Sequence, residues 1–185
     1  MNYKFGILLF IMAAITFSSC KKDKTVIPNE EEVITTLNYT LTPVGGGTAV
    51  TMTFRDVDGD GGNAPVVIGG TLVANTTYTG AMELLNETES PAEDITEEIE
   101  EEDADHQFFF STTVNGLSVS YTDQDDDGNP VGLKTEVSTT GTGTGEMTVI
   151  LRHEPNKYGA GVSGGNIANA GGETDIEVTF DVDVQ

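Results

Sequence analysis

From Val33 onward, apolar and polar residues alternate with a period of two. Leu37, Tyr39 and Leu41 alternate with Asn38, Thr40 and Thr42, and Val50, Met52 and Phe54 with Thr51, Thr53 and Arg55. The same rhythm returns in Tyr78 to Leu84, in Leu117, Val119 and Tyr121, and in Leu133 to Val137. It closes with Met147, Val149 and Leu151, then with Ile176, Val178, Phe180 and Val182 set against Glu177, Thr179, Asp181 and Asp183. A period of two marks strands with one buried and one wet face. Clusters of Gly, Asp, Asn and Pro separate these runs, as in "DGDGGNAP" from Asp58 and "DDDGNP" from Asp125. About seven or eight short strands punctuated in this way predict a single antiparallel β-sandwich over 33–185, of immunoglobulin-like size.

One stretch breaks the period. Ser90 can cap a helix, Pro91 suits its first position and Glu93 completes a capping box. Ile95 and Ile99, four apart, give a narrow apolar stripe that lays one short acidic helix on the sandwich. The run Glu100 to Asp105 puts acids at the helix end, where the dipole disfavours them, so this corner asks for a cation.

The first 32 residues read differently. Lys4, the apolar run Phe5 to Phe17 and the small residues Ser18 and Ser19 before Cys20 make 1–19 an export signal, too short to span a bilayer comfortably. Cys20 is the sole cysteine, which excludes an intramolecular disulfide. "FSSC" resembles the lipobox of bacterial lipoproteins, which implies that Cys20 is lipidated and that 20–32 is a flexible, lipid-anchored tether. Without residues 1–19 the chain has 7 basic against 31 acidic residues, a formal charge of −24. Such a field repels nucleic acid and draws cations or basic partners.

Two sets of residues carry candidate chemistry. Glu98, Glu102 and His106 fall at successive i, i+4 positions and would share a helix face. His153 continues the parity of Met147, Val149 and Leu151, so it points to the core side of its strand, with Glu154 next to it. Two imidazoles and two or three carboxylates suit zinc or another transition metal. The competing reading is a surface helix with a helix-terminal His106 and a hydrogen-bonded His153 at a strand end. The second set is a repeated D-x-D-x-D-G pattern, Asp56, Asp58 and Asp60, then Asp123, Asp125 and Asp127, which resembles half of a calcium loop. The twelfth positions hold Val67 and Lys134 instead of a bidentate Glu, and tight turns use the same residues. Gly159 to Gly164 matches G-x-G-x-x-G but offers no βαβ unit, and reads as a long flexible loop between the last two strands. No serine stands in a nucleophile-elbow context, so no enzyme is expected.

"FSSC", "PAEDITEEIEEEDADHQFFF", "DDDGNPVGL", "LRHEPNK" and "NAGGETDIEVTF" resemble a family of small lipoproteins of Bacteroidetes, flavobacteria above all, often encoded near TonB-dependent receptors. The resemblance implies an outer-membrane-anchored, non-enzymatic accessory that hands a scarce ligand to a TonB-dependent receptor. Its alternative is a structural or interaction module of the envelope, stiffened by calcium. Chains of this kind are labelled with the type 1 periplasmic binding fold. That fold needs two α/β lobes and a longer chain than this one, so the expected architecture stays a β-sandwich.

Overall fold

Alternation converts directly into strands in a computed structural model of the chain, which describes residues 32–59 and 61–185. The export signal, Cys20, tether residues 20–31 and Asp60 lie outside the described residues. In chain order the strands are β1 (Thr36–Pro43), β2 (Val50–Arg55), β3 (Val66–Ile68), β4 (Gly70–Leu72), β5 (Thr77–Asn86) and β6 (Glu93–Asp94). Helix α1 (Ile95–Glu101) follows, then β7 (His106–Thr112), β8 (Leu117–Tyr121), β9 (Lys134–Thr139), β10 (Gly143–His153) and β11 (Glu173–Val184).

One sheet runs β3-β2-β1-β5-β9-β8, with β6 added beside β5, and the other runs β4-β11-β10-β7. Neighbours are antiparallel except β4 and β11, which pair in parallel. The inward rows of both sheets meet in one core. Leu37, Tyr39, Leu41, Met52, Leu84 and Val137 from the first face Phe108, Met147, Val149, Leu151, Val178 and Phe180 from the second. Each such buried side chain stabilises the fold by about 1.5–3 kcal/mol. The result is the β-sandwich that the period of two predicts, with a parallel pair at one edge.

The helix begins later than its capping signals suggest. Glu93 and Asp94 pair with Asn86 and Leu85 as a short strand, so the capping residue is Asp94, whose carboxylate accepts from the Thr96 amide. The ladder to β5 outweighs the local signal of Ser90 and Pro91. Ile95 and Ile99 are buried as the stripe requires, and Thr96 Oγ1 takes the Leu84 amide at 2.9 Å, which pins the helix to β5.

The glycine-rich segment between β10 and β11 is packed rather than loose. Val162 and Ala170 are buried against Phe109 on the outer side of β7, with Ile150 and Ile167 alongside. Gln107 Nε2 donates to the Val162 carbonyl at 3.0 Å. This packing explains why β7 is buried on both faces at Phe108 and Phe109. The segment returns to β11 through Gly172, at φ +70°, where a Cβ would sit 2.2 Å from the His153 carbonyl oxygen. Only glycine fits that close approach.

Candidate metal centre

Helix α1 ends at Glu101, and the chain turns through 102–105 before β7 starts at His106. His106 therefore belongs to a strand, and its partner across the β7–β10 ladder is His153. Both side chains share the inward parity of Phe108 and Leu151, at the end of the sandwich where the core rows stop. The rings lie with centroids 4.6 Å apart at 48°.

Two carboxylates complete the cluster. Glu32 precedes β1 and places Oε1 2.9 Å from His106 Nε2 and Oε2 3.4 Å from His153 Nδ1. Asp175 Oδ1 lies 3.8 Å from the same His153 nitrogen. Strict alternation would turn Asp175 outward, but in the β10–β11 ladder Leu151 pairs with Ile176 and Arg152 with Thr174. Asp175 is the extra residue of a β-bulge, a device that re-aims a side chain. Side-chain exposure is 0% for His106, 7% for His153 and Glu32, and 1% for Asp175.

The donor set fits a divalent ion. His106 Nδ1 lies 3.1 Å from the Glu102 carbonyl, which can only accept, so Nδ1 carries the hydrogen. Nε2 is then left with its lone pair aimed at a carboxylate oxygen 2.9 Å away. Two electron-rich atoms hold that distance with a cation between them, either a proton or a metal. A carbonyl that fixes the second ring nitrogen is also the usual support of a metal-binding histidine. Among the described residues, Glu32 Oε2 and His153 Nδ1 are buried with no hydrogen-bond partner, 3.4 Å from each other. One ligand atom from each of Glu32, His106, His153 and Asp175 falls within 4.8 Å of all the others. In a tetrahedral zinc site with bonds near 2.0–2.1 Å, ligand atoms stand about 3.3 Å apart. The contacts of 2.9 and 3.4 Å, made by the two different oxygens of Glu32, and that of 3.8 Å from Asp175 lie near that value, while a set with one atom per residue spans up to 4.8 Å. Two carboxylates and two neutral imidazoles also cancel a double positive charge.

The electrostatics show a cluster that attracts positive charge, a proton where no metal is bound. Burial alone would lower the His106 pKa, but the Glu32 carboxylate and the Glu102 carbonyl outweigh it and raise it. Burial would raise the Glu32 carboxyl, but its bond to His106, its own amide and both imidazoles bring it below the usual range. Glu98 is held above that range by burial, then by Glu93, Glu32 and Glu102.

The helix-face set is rearranged by this geometry. His106 and His153 come together, whereas Glu98, Glu102 and Glu154 are exposed and stand outside the converging group. The helix stops before His106, so the i, i+4 face never reaches it. Glu102 serves through its backbone carbonyl, and Glu154 turns away at φ 47°. Glu32 and Asp175 take their places, one hidden in a run of glutamates and the other revealed only by the bulge.

The aspartate turns are occupied by their own chain. Asp56 accepts from the Gly59 amide, and Asp58 from both nitrogens of Asn63. Asp123 accepts from the Gly132 and Lys134 amides, and Asp125 Oδ1 from the Asp127 and Asn129 amides. Asp125 Oδ2 lies 3.0 Å from the ammonium of Lys157, and Asp127 accepts from the Tyr158 hydroxyl. Among the described residues these carboxylates do not converge as metal ligands, and turn chemistry accounts for them.

No family model matches the chain, and no curated protein does. Among solved structures, domains 4 and 5 of the S-layer protein SbsC align with 79% of this chain and 75% of that one, at 12% identity and a TM-score of 0.26. A likeness that slight carries no functional argument.

Proposed function

We propose that this protein is a non-enzymatic, lipid-anchored component of the cell envelope that binds one transition metal ion, zinc fitting best, through Glu32, His106, His153 and Asp175. The observation that carries the reading is His106 Nε2 facing Glu32 Oε1 at 2.9 Å while Nδ1 is committed to the Glu102 carbonyl. Four buried protein ligands close a tetrahedral shell and leave no position for a substrate, which favours holding the ion over catalysis with it. Imidazole nitrogen in half of the donor set favours zinc, copper or nickel over calcium and magnesium. Calcium stiffening at the aspartate turns is the weaker reading, because those oxygens already accept backbone amides. Anchorage through Cys20 and association with an outer-membrane TonB-dependent receptor rest on the sequence resemblance.

Titration calorimetry of chelator-treated protein tests the metal. One zinc per chain at micromolar affinity or tighter, with calcium giving no heat, is the expected result. Binding of calcium alone, or of no ion, would falsify the reading.

A further inference from the structure

The four ligands are not held alike. His106, His153 and Asp175 project from β7, β10 and β11, neighbours in one sheet. Glu32 comes from the lead-in to β1, which belongs to the other sheet. Residues 32–35 lie outside any strand, and Val33 is 55% exposed. Ile34 packs against the core, and hydrogen-bonded anchoring starts at Thr35, whose amide and hydroxyl both reach the Leu85 carbonyl at 3.0 Å and whose carbonyl takes the Asp56 amide at 2.8 Å. The Glu32 side chain, by contrast, reaches across to the second sheet and meets both imidazoles there.

Building on the metal reading above, we propose that Glu32 is the movable ligand and that the bound metal latches the N-terminal segment onto the sandwich. An ion that gains a ligand from Glu32 favours the docked segment. By linkage, pulling the segment away weakens the ion to the same extent. The three remaining ligands would keep a weaker hold, and the site would gain an open position through which the ion can leave. A partner that engages the segment ahead of β1 would thus promote release without touching the histidines.

The test uses the full-length chain carrying Cys20→Ser and Val33→Cys, with a nitroxide spin label on the single thiol. Label mobility is read by electron paramagnetic resonance with excess zinc and with chelator, while calorimetry measures zinc affinity on the same samples. Zinc should slow the label, and Glu32→Ala should abolish the slowing while weakening zinc at least about tenfold. Glu32→Gln keeps the side-chain volume and should behave like Glu32→Ala, with circular dichroism reporting that both variants stay folded. If zinc binds the parent but leaves the label unchanged, the latch is wrong and the metal site stands. If zinc binds both variants as tightly as the parent, Glu32 is not a ligand, and the latch falls with the four-ligand set while the histidine site remains. If no zinc binds the parent, the latch and the metal reading fall together.

Discussion

Two acidic corners of this molecule each surround a buried basic group, and they differ in whether the chain supplies the neutralising charge. Beside the helix exit, Lys157 is 4% exposed, and its ammonium meets the Asp125 carboxylate at 3.0 Å and the Asp103 carbonyl. That corner carries its own permanent cation. At the sandwich end, Glu32 and Asp175 face two imidazoles, and an imidazole becomes a cation only by taking a proton. A fixed ammonium makes a structural knot, whereas exchangeable protons leave a site that a metal can claim. Dense acid in this chain therefore has two separate uses, and the kind of basic partner tells them apart.

The comparison breaks first at the histidines. His106→Ala combined with His153→Ala removes both nitrogen ligands and should weaken zinc by roughly a thousandfold or more, about 4 kcal/mol or above. Zinc retention after the double change, measured by elemental analysis of the purified protein, would show that the ion sits elsewhere. Lys157→Ala should leave zinc affinity unchanged.

The next largest effect belongs to the knot. Lys157→Ala leaves the Asp125 carboxylate, with 2% side-chain exposure, without its ammonium. Breaking a buried pair from one side costs about 3–5 kcal/mol, read as a fall in the urea midpoint. A change below about 1 kcal/mol would mean that Lys157 does not close that corner.

Much of this architecture was legible because alternation is a strong signal wherever one face of a sheet is buried. Tyr39, Val149 and Phe180 each sit on the inward side that their parity predicts. The site was legible only in part. The parity of Met147, Val149 and Leu151 extends to His153 in β10, so its direction followed from sequence. The sequence places His106 on the helix rather than on β7, because acids with good helix propensity run up to it and nothing local marks the turn at 102–105. Asp175 was hidden for a sharper reason: a bulge reverses parity, and its position is settled by a partner strand more than twenty residues away. Glu32 and Lys157 are selected by tertiary contact alone, among several glutamates and lysines of identical chemistry. The strands β3 and β4, three residues each, are too short to show a period.

A third expectation sharpens the contrast through added ions. Zinc at about one hundred times its dissociation constant should stabilise the fold by about 2.7 kcal/mol. For a domain of this size that is a rise of about 5–11 °C in the thermal midpoint, reversed by chelator. Calcium should shift it by less than about 1 °C if the aspartate turns are satisfied internally. An equal response to both ions would erase the distinction between the two corners.

The smallest effect concerns acid. Burial would raise the Asp125 carboxyl, but the Asn129 amide and the Lys157 ammonium outweigh it and bring it below its ordinary value of 3.8. A carboxyl lowered on folding contributes stability that is fully present above its unfolded value and is lost as pH falls through its folded one. The amide of Asp125→Asn keeps an oxygen that can accept from Lys157, so this change should cost less than removing the ammonium, about 1–3 kcal/mol near neutrality, the range for charge-assisted hydrogen bonds. That cost should stay level down to about pH 4 and shrink below it, as the wild-type carboxyl is protonated. Urea unfolding of the two proteins side by side reads the effect, with Asp103 as the neighbouring carboxyl that burial, then Asp125, hold above its ordinary value and that relaxes in the variant. A difference that grows on acidification would have the wrong sign, and would mean that Asp125 is held in its neutral form and that Lys157 finds its counter-charge elsewhere.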